Sequence, residues 1–140
     1  MMEWGSILHE VYRAFKKRSE SEQFGDIKLS ADQFGLLHYI HIKTEEVIQQ
    51  DMAEMMGKDK SAILRLTDSL EERGLVRRVT DLKDRRKNCL MVTKTGLQVL
   101  EQKMKILEKL SEQLYSGISE EDLSVFFNIT RMIKNNAEKL

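Results

Sequence analysis

Residues 49–96 read QQDMAEMMGKDKSAILRLTDSLEERGLVRRVTDLKDRRKNCLMVTKTG, and the order of apolar, charged and glycine positions in this stretch decides the fold. Gln49 to Met56 carries Met52, Ala53 and Met56 at helical spacing. Gly57 ends that helix, because glycine enters a left-handed turn without strain. Asp59 caps a second helix that the pattern carries to about Arg73, with Ile63, Leu66 and Leu70 as one apolar stripe. Gly74 stops it. Two short helices joined by a tight turn make a helix-turn-helix, and its second helix is the one that enters a DNA major groove.

Leu75 to Thr80 then alternates as a strand, and Asn88 to Thr93 alternates again with Leu90 and Val92 on one face. Between them lies DLKDRRK, Asp81 to Lys87. From Arg73 to Lys94, eight Lys or Arg stand against two Asp, a local balance of +6 in a chain whose total is zero. A basic loop on a hairpin directly after a helix-turn-helix is a wing, which reaches phosphates and the narrow minor groove. The bland alternative is an exposed charged hairpin tip, and the helix-turn-helix immediately upstream weighs against it.

Residues Ser30 to Gly96 resemble the MarR family of winged helix-turn-helix regulators. The matching stretches are AEMMGKDKSAILRLTDSLEERGLVRR from Ala53, then D-x-x-DRR from Asp81, then L-x-V-T-x-x-G from Leu90. Each piece is weak alone, and their combination is specific. The resemblance implies a mainly α fold with an α+β wing, in one domain over residues 1–140. Within it, 30–96 would be the winged helix-turn-helix, and 1–29 and 97–140 long dimerisation helices. It further implies a homodimer on a pseudo-palindromic site in double-stranded DNA. Such a protein regulates transcription, here expected as a repressor released by a small-molecule effector. In the family the effector pocket lies between the dimerisation and DNA-binding parts; the sequence does not identify the ligand.

The DNA-facing residues follow position by position. Lys60 and Ser61 fall in the first turn of the second helix, where side chains and N–H groups point at the duplex. Arg65 lies one turn on and can pair with guanine O6 and N7 or bind phosphate. Leu64 stands where the family commonly has a small polar residue; it either touches a thymine methyl or rolls into the core. In the wing, Asp84 and Arg86 match the family's D-x-R. The resemblance implies that Asp84 holds a neighbouring arginine while Arg86 enters the minor groove, with Lys83, Arg85 and Lys87 on phosphates. Ile48 stands where the family often has Thr. That departure costs about 1 kcal/mol of helix capping and leaves N–H groups that a phosphate can take. Glu71 and Glu72 are expected on the solvent side, set against Arg73 or Arg77.

Composition bounds the remaining possibilities. The chain has 140 residues, 33% charged and 41% hydrophobic, with no Pro and seven Gly. That suits one helical domain. No apolar run approaches the roughly 20 residues of a membrane span, and no leader pattern opens the sequence. The one cysteine, Cys89, cannot form an internal disulfide, which fits a reducing cytoplasm. Cys89 as an oxidation sensor competes with the plainer reading of a small strand residue; the cysteine of peroxide-sensing relatives lies in the N-terminal helices. His38 and His41 are three apart on one helix, with Cys89 and His9 as conceivable partners, but zinc wants three or four ligands, and no metal is expected. No cofactor is expected either. The sequence shows no Gly-rich phosphate loop and no nucleophile–base pair, so the expectation is a binding protein and not an enzyme. A winged helix used only to dock proteins is the rival, and the basic wing argues against it.

The flanks complete the reading. Trp4 to about Phe24 should be a helix burying Ile7, Leu8, Val11 and Phe15, with Lys16, Lys17, Arg18 and Glu20 solvated. Gly25 and Asp26 should break it. Ser30 and Gln33 form a capping box for a helix that turns Phe34, Leu37 and Ile40 or His41 inward. Thr44 to Val47 is a connection. Thr93 caps a long helix with Leu97, Leu100, Met104, Leu107 and Leu114 on a seam and Leu110 beside it, ended by Ser116 and Gly117. Ser119 caps the last helix, whose apolar side carries Leu123, Phe126, Phe127, Thr130, Ile133 and Ala137. These flanking helices hold more apolar face than a small winged domain covers alone.

Overall fold

The computed structural model describes residues 3–22, 27–43, 49–80 and 88–140. In chain order the elements are α1 (Glu3–Ser21), α2 (Ala31–Ile42), α3 (Gln49–Met56), α4 (Lys60–Glu72), β1 (Val76–Thr80), β2 (Asn88–Val92), α5 (Lys94–Leu114) and α6 (Glu120–Ala137). The chain divides into two compact units, residues 1–107 and 108–140. Gly25, Asp26, the Thr44–Val47 connection, Ile48 and the Asp81–Lys87 loop lie outside the described residues.

The first unit is built around α2. Its inner face is wider than the sequence pattern indicates: Leu36, Leu37, Tyr39 and Ile40 are all buried, while His41 is exposed. A helix apolar on most of its circumference is a central one, and α1, α3 and α4 all pack on it. Met52 and Ala53 of α3, Ile63 and Leu70 of α4, Leu75, Val76, Leu90, Val99 and Leu100 complete the core. The capping box at Ser30 forms as read, with Gln33 N donating to Ser30 Oγ and Ser30 N to Gln33 Oε1. His38 stacks on Phe34 with ring centroids 5.8 Å apart. Among the described residues, no three His, Cys, Asp or Glu are grouped to hold a metal.

Two strands form the hairpin. They pair antiparallel with Val76 opposite Val92 and Arg78 opposite Leu90. Val76 and Leu90 are buried and Arg77 and Met91 exposed, so the alternation separates a core face from a wet one. The start of α5 is pressed onto the entry to β1. Thr93 N donates to the Leu75 carbonyl at 3.0 Å, and Gly96 N to Thr93 Oγ1 at 3.0 Å, which is the cap expected at Thr93. A Cβ built on Gly96 would lie 2.0 Å from the Leu75 carbonyl oxygen. Only glycine permits this approach.

α1 departs from its expected role. Ile7, Leu8 and Val11 have the spacing of a buried stripe but are 41–52% exposed. Among the described residues of the first unit, nothing covers them. Glu20, expected to be solvated, instead accepts from Ala31 N at 2.9 Å and ties the end of α1 to the start of α2. Lys103 of α5 is buried and donates to the Ser19 carbonyl. Burial pushes its ammonium pKa down, opposed by the carboxylates of Glu20 and Glu22.

The second unit holds the end of α5 and all of α6. Ser119 caps α6 by accepting from Asp122 N at 3.1 Å, and Glu120, Glu121 and Asp122 sit against the positive end of the helix dipole. Tyr115 meets the ring of Phe127 edge-on at 5.8 Å. No residue of α6 is buried. Val125, Phe126, Ile129, Met132 and Ile133 are all exposed. Among the described residues, no helix is long and apolar enough to cross a membrane.

Candidate nucleic-acid interface

α3, the turn at Gly57 and α4 form the helix-turn-helix. Gly57 takes φ 61° and Gly74 takes φ 71°, the left-handed values that stop α3 and α4 where the sequence predicts. Asp59 caps α4 by accepting from Ala62 N at 2.7 Å. The buried side of α4 is Ile63, Thr67 and Leu70, with Leu66 packed against it. Thr67 was absent from the expected stripe; its hydroxyl bonds back to the Ile63 carbonyl at 2.8 Å, which allows a polar residue to sit in the core.

With that side fixed, the opposite side of α4 is determined. Lys60, Ser61, Leu64 and Arg65 are all exposed. Leu64 is 43% exposed, so it does not roll into the core. Arg65 borders an open cleft of about 410 Å³ between the start of α2 and α4, lined also by Asp32, Gln33, Lys58 and Ser69. Lys58 crosses its rim to Asp32 at 3.1 Å. Neither Lys60 nor Arg65 takes part in the ion pairs formed among the described residues. Lys83, Asp84, Arg85, Arg86 and Lys87 lie outside the described residues.

Among the described residues, two cations of the basic segment are engaged within the protein. Arg73 donates to the Lys28 carbonyl at 2.7 Å and to Gln33 Oε1 at 3.2 Å. Gln33 in turn donates to Ser69 Oγ at 3.0 Å. One glutamine therefore caps α2 and holds both Ser69 and the Arg73 that follows α4. Arg78 on β1 pairs with Asp68 at 2.6 Å and Glu71 at 3.0 Å. The hydrogen bond that Arg78 donates to Asp68 raises the Arg78 pKa above the usual arginine value. Glu71 was expected against Arg73 or Arg77; it lies against Arg78 because strand alternation puts Arg78 on the face of Val76, toward α4, and turns Arg77 to solvent. Sequence reasoning missed the pairing of Arg78 with Asp68 and Glu71 and the reach of Gln33 beyond its cap to Ser69 and Arg73. The parity of Val76 and Arg78, set beside the i, i+3 spacing of Asp68 and Glu71, carried the signal.

A core-anchored helix-turn-helix followed by a two-stranded hairpin and framed by long helices defines a winged helix-turn-helix protein. Residues 26–87 match the model described as the MarR family. A structure of MarR is 26% identical, with 99% of this chain and 91% of that one covered and a TM-score of 0.76. A MarR/EmrR family transcriptional regulator from Acinetobacter sp. ADP1 is 14% identical, covering 99% and 96%, with a TM-score of 0.82. A mutant MarR from E. coli, complexed with operator DNA, is 20% identical, covering 94% of each chain, with a TM-score of 0.79. The chain has the winged helix-turn-helix fold, similar in sequence to the MarR family over residues 26–87 and in fold to these structures over nearly its whole length.

Proposed function

We propose that the chain is a sequence-specific, double-stranded-DNA-binding transcriptional regulator that acts as a homodimer on a pseudo-palindromic operator, a repressor released by a small-molecule effector. The observation that carries this reading is the division of α4. One side is locked into the core, and the other offers Lys60, Ser61, Leu64 and Arg65 to solvent beside a basic hairpin. The operator complex of a mutant MarR with this fold supports it. In this reading Lys60, Ser61, Leu64 and Arg65 face the major groove. Lys83, Arg85, Arg86 and Lys87 engage the backbone and minor groove, and Asp84 orients an arginine of the wing. Residues 1–29 and 97–140 are the dimerisation helices.

The test is selection of duplexes from a random-sequence library, followed by anisotropy titration of the enriched duplex and of unselected DNA. Affinity is expected to fall steeply as salt rises, because cationic side chains displace condensed counterions. A binding constant flat between low and physiological salt would remove the phosphate contacts. Arg65→Ala should weaken the enriched duplex by roughly 1–3 kcal/mol per half-site and unselected DNA by less. Equal losses on both would make Arg65 a phosphate contact and leave base reading to Lys60, Ser61 and Leu64. Failure to enrich any duplex would favour the rival reading, a winged helix that docks proteins.

A further inference from the structure

We infer that Arg78 governs DNA binding without touching DNA: with Asp68 and Glu71 it fixes the angle at which the wing hairpin leaves the recognition helix. This rests on the function proposed above.

The geometry is a three-point clamp. Asp68 and Glu71 are three apart on α4 and share a face. The two arms of the Arg78 guanidinium go to different carboxylates, Nη2 to Asp68 Oδ1 at 2.6 Å and Nη1 to Glu71 Oε1 at 3.0 Å. A rigid fork held at both tines does not swivel. Arg78 is the middle residue of β1, so the clamp grips the strand at its centre. A two-stranded hairpin has little stiffness of its own, and its direction depends on such ties.

Charge excludes the simpler role. Arg78 belongs to the basic segment and would be counted among the phosphate contacts. In place, its single positive charge faces two carboxylates, so the cluster carries a net −1 and repels phosphate. Nor is the clamp mainly a device for stability. The three side chains are 29–48% exposed, and ion pairs so placed add little to folding. The second oxygen of Glu71, Oε2, is buried with no hydrogen-bond partner among the described residues. That carboxylate sits at a cost which the fold alone does not explain.

The experiment compares the wild-type full chain with Asp68→Ala, Glu71→Ala, Arg78→Met and the double variant Asp68→Ala/Arg78→Met. The probe is the duplex that the wild type enriches from a random library, at fixed salt and at a temperature where melting curves show every variant folded. Each carboxylate variant removes a negative charge near DNA, and charge counting expects tighter binding. The clamp expects binding about tenfold weaker for each, and a double variant no weaker than Arg78→Met alone. Unchanged or tighter binding by both carboxylate variants overturns the clamp, as does a double variant that recovers the affinity lost in Arg78→Met. A loss confined to melting temperature makes the cluster structural only and also overturns it. Should Arg78→Met not fold, the two carboxylate variants, each keeping one of the two bonds, decide alone. If the wild type enriches no duplex, the proposed function falls; if it does and the carboxylate variants bind tighter, only the clamp falls.

Discussion

Gly96→Ala is expected to lower the free energy of unfolding by roughly 3 kcal/mol, measured by urea titration of the far-ultraviolet signal. The added methyl would lie 2.0 Å from the Leu75 carbonyl oxygen and 2.9 Å from both the Leu75 carbonyl carbon and Val92 Cγ1. Two of these three atoms are backbone, so no rotamer change relieves the contact. Relief requires α5 to lift away from β1, which stretches the Thr93 N–H bond to that same carbonyl. It also disturbs the buried packing of Val99 and Leu100 one turn on. Gly5→Ala is the control: no heavy atom lies within 4 Å of a Cβ built there, and alanine is the better helix former. Equal stability for the two variants would mean that α5 does not meet β1 as described.

The second large effect is expected from α6. Ile129→Glu combined with Met132→Glu should leave a folded chain that sediments as a monomer at micromolar concentration and binds its operator on the order of 100-fold more weakly. Both residues are exposed, Ile129 at 51% and Met132 at 64%, so charging them breaks no contact of the core. On the proposed homodimer they lie on a face that a second copy covers, and each half-site alone forfeits the effective concentration that its twin provides. A variant that remains dimeric would move the interface off α6. Leu100 would be a poor target for the same question. It lies on the seam read from the sequence, but it is fully buried within its own unit, and a charge there unfolds the chain before it separates two copies.

What the sequence discloses divides by range. Ser30, Asp59, Thr93 and Ser119 are legible as caps and Gly57 and Gly74 as stops because each acts within four residues of itself. The inner stripe of α4 and the parity of β2 are legible because burial imposes a period. The partner of Arg73 is not: its guanidinium reaches Lys28, 45 residues away, and nothing in local spacing marks that. The stripe on α1 shows the opposite limit. Periodicity says that Ile7, Leu8 and Val11 form an apolar face; it does not say what covers it, and within the chain they remain exposed. The exposed side of α4 is legible by subtraction, as whatever the core does not take, and Leu64 is the position where subtraction alone leaves two answers.

Arg73 and Arg78 are spent on the protein's own carbonyls and carboxylates, and this bears on how such a protein finds its site. Every cation that reaches phosphate lengthens the stay on any duplex, whatever its sequence, since non-specific affinity is almost wholly counterion release. A regulator must sample very many wrong sites for each right one. On the proposed function, withholding these two guanidinium groups from the duplex shortens each wrong encounter, while Arg65 and the exposed turn of α4 are left to lengthen the right one. The internal arginines thus favour a faster search at the expense of a weaker hold on bulk DNA.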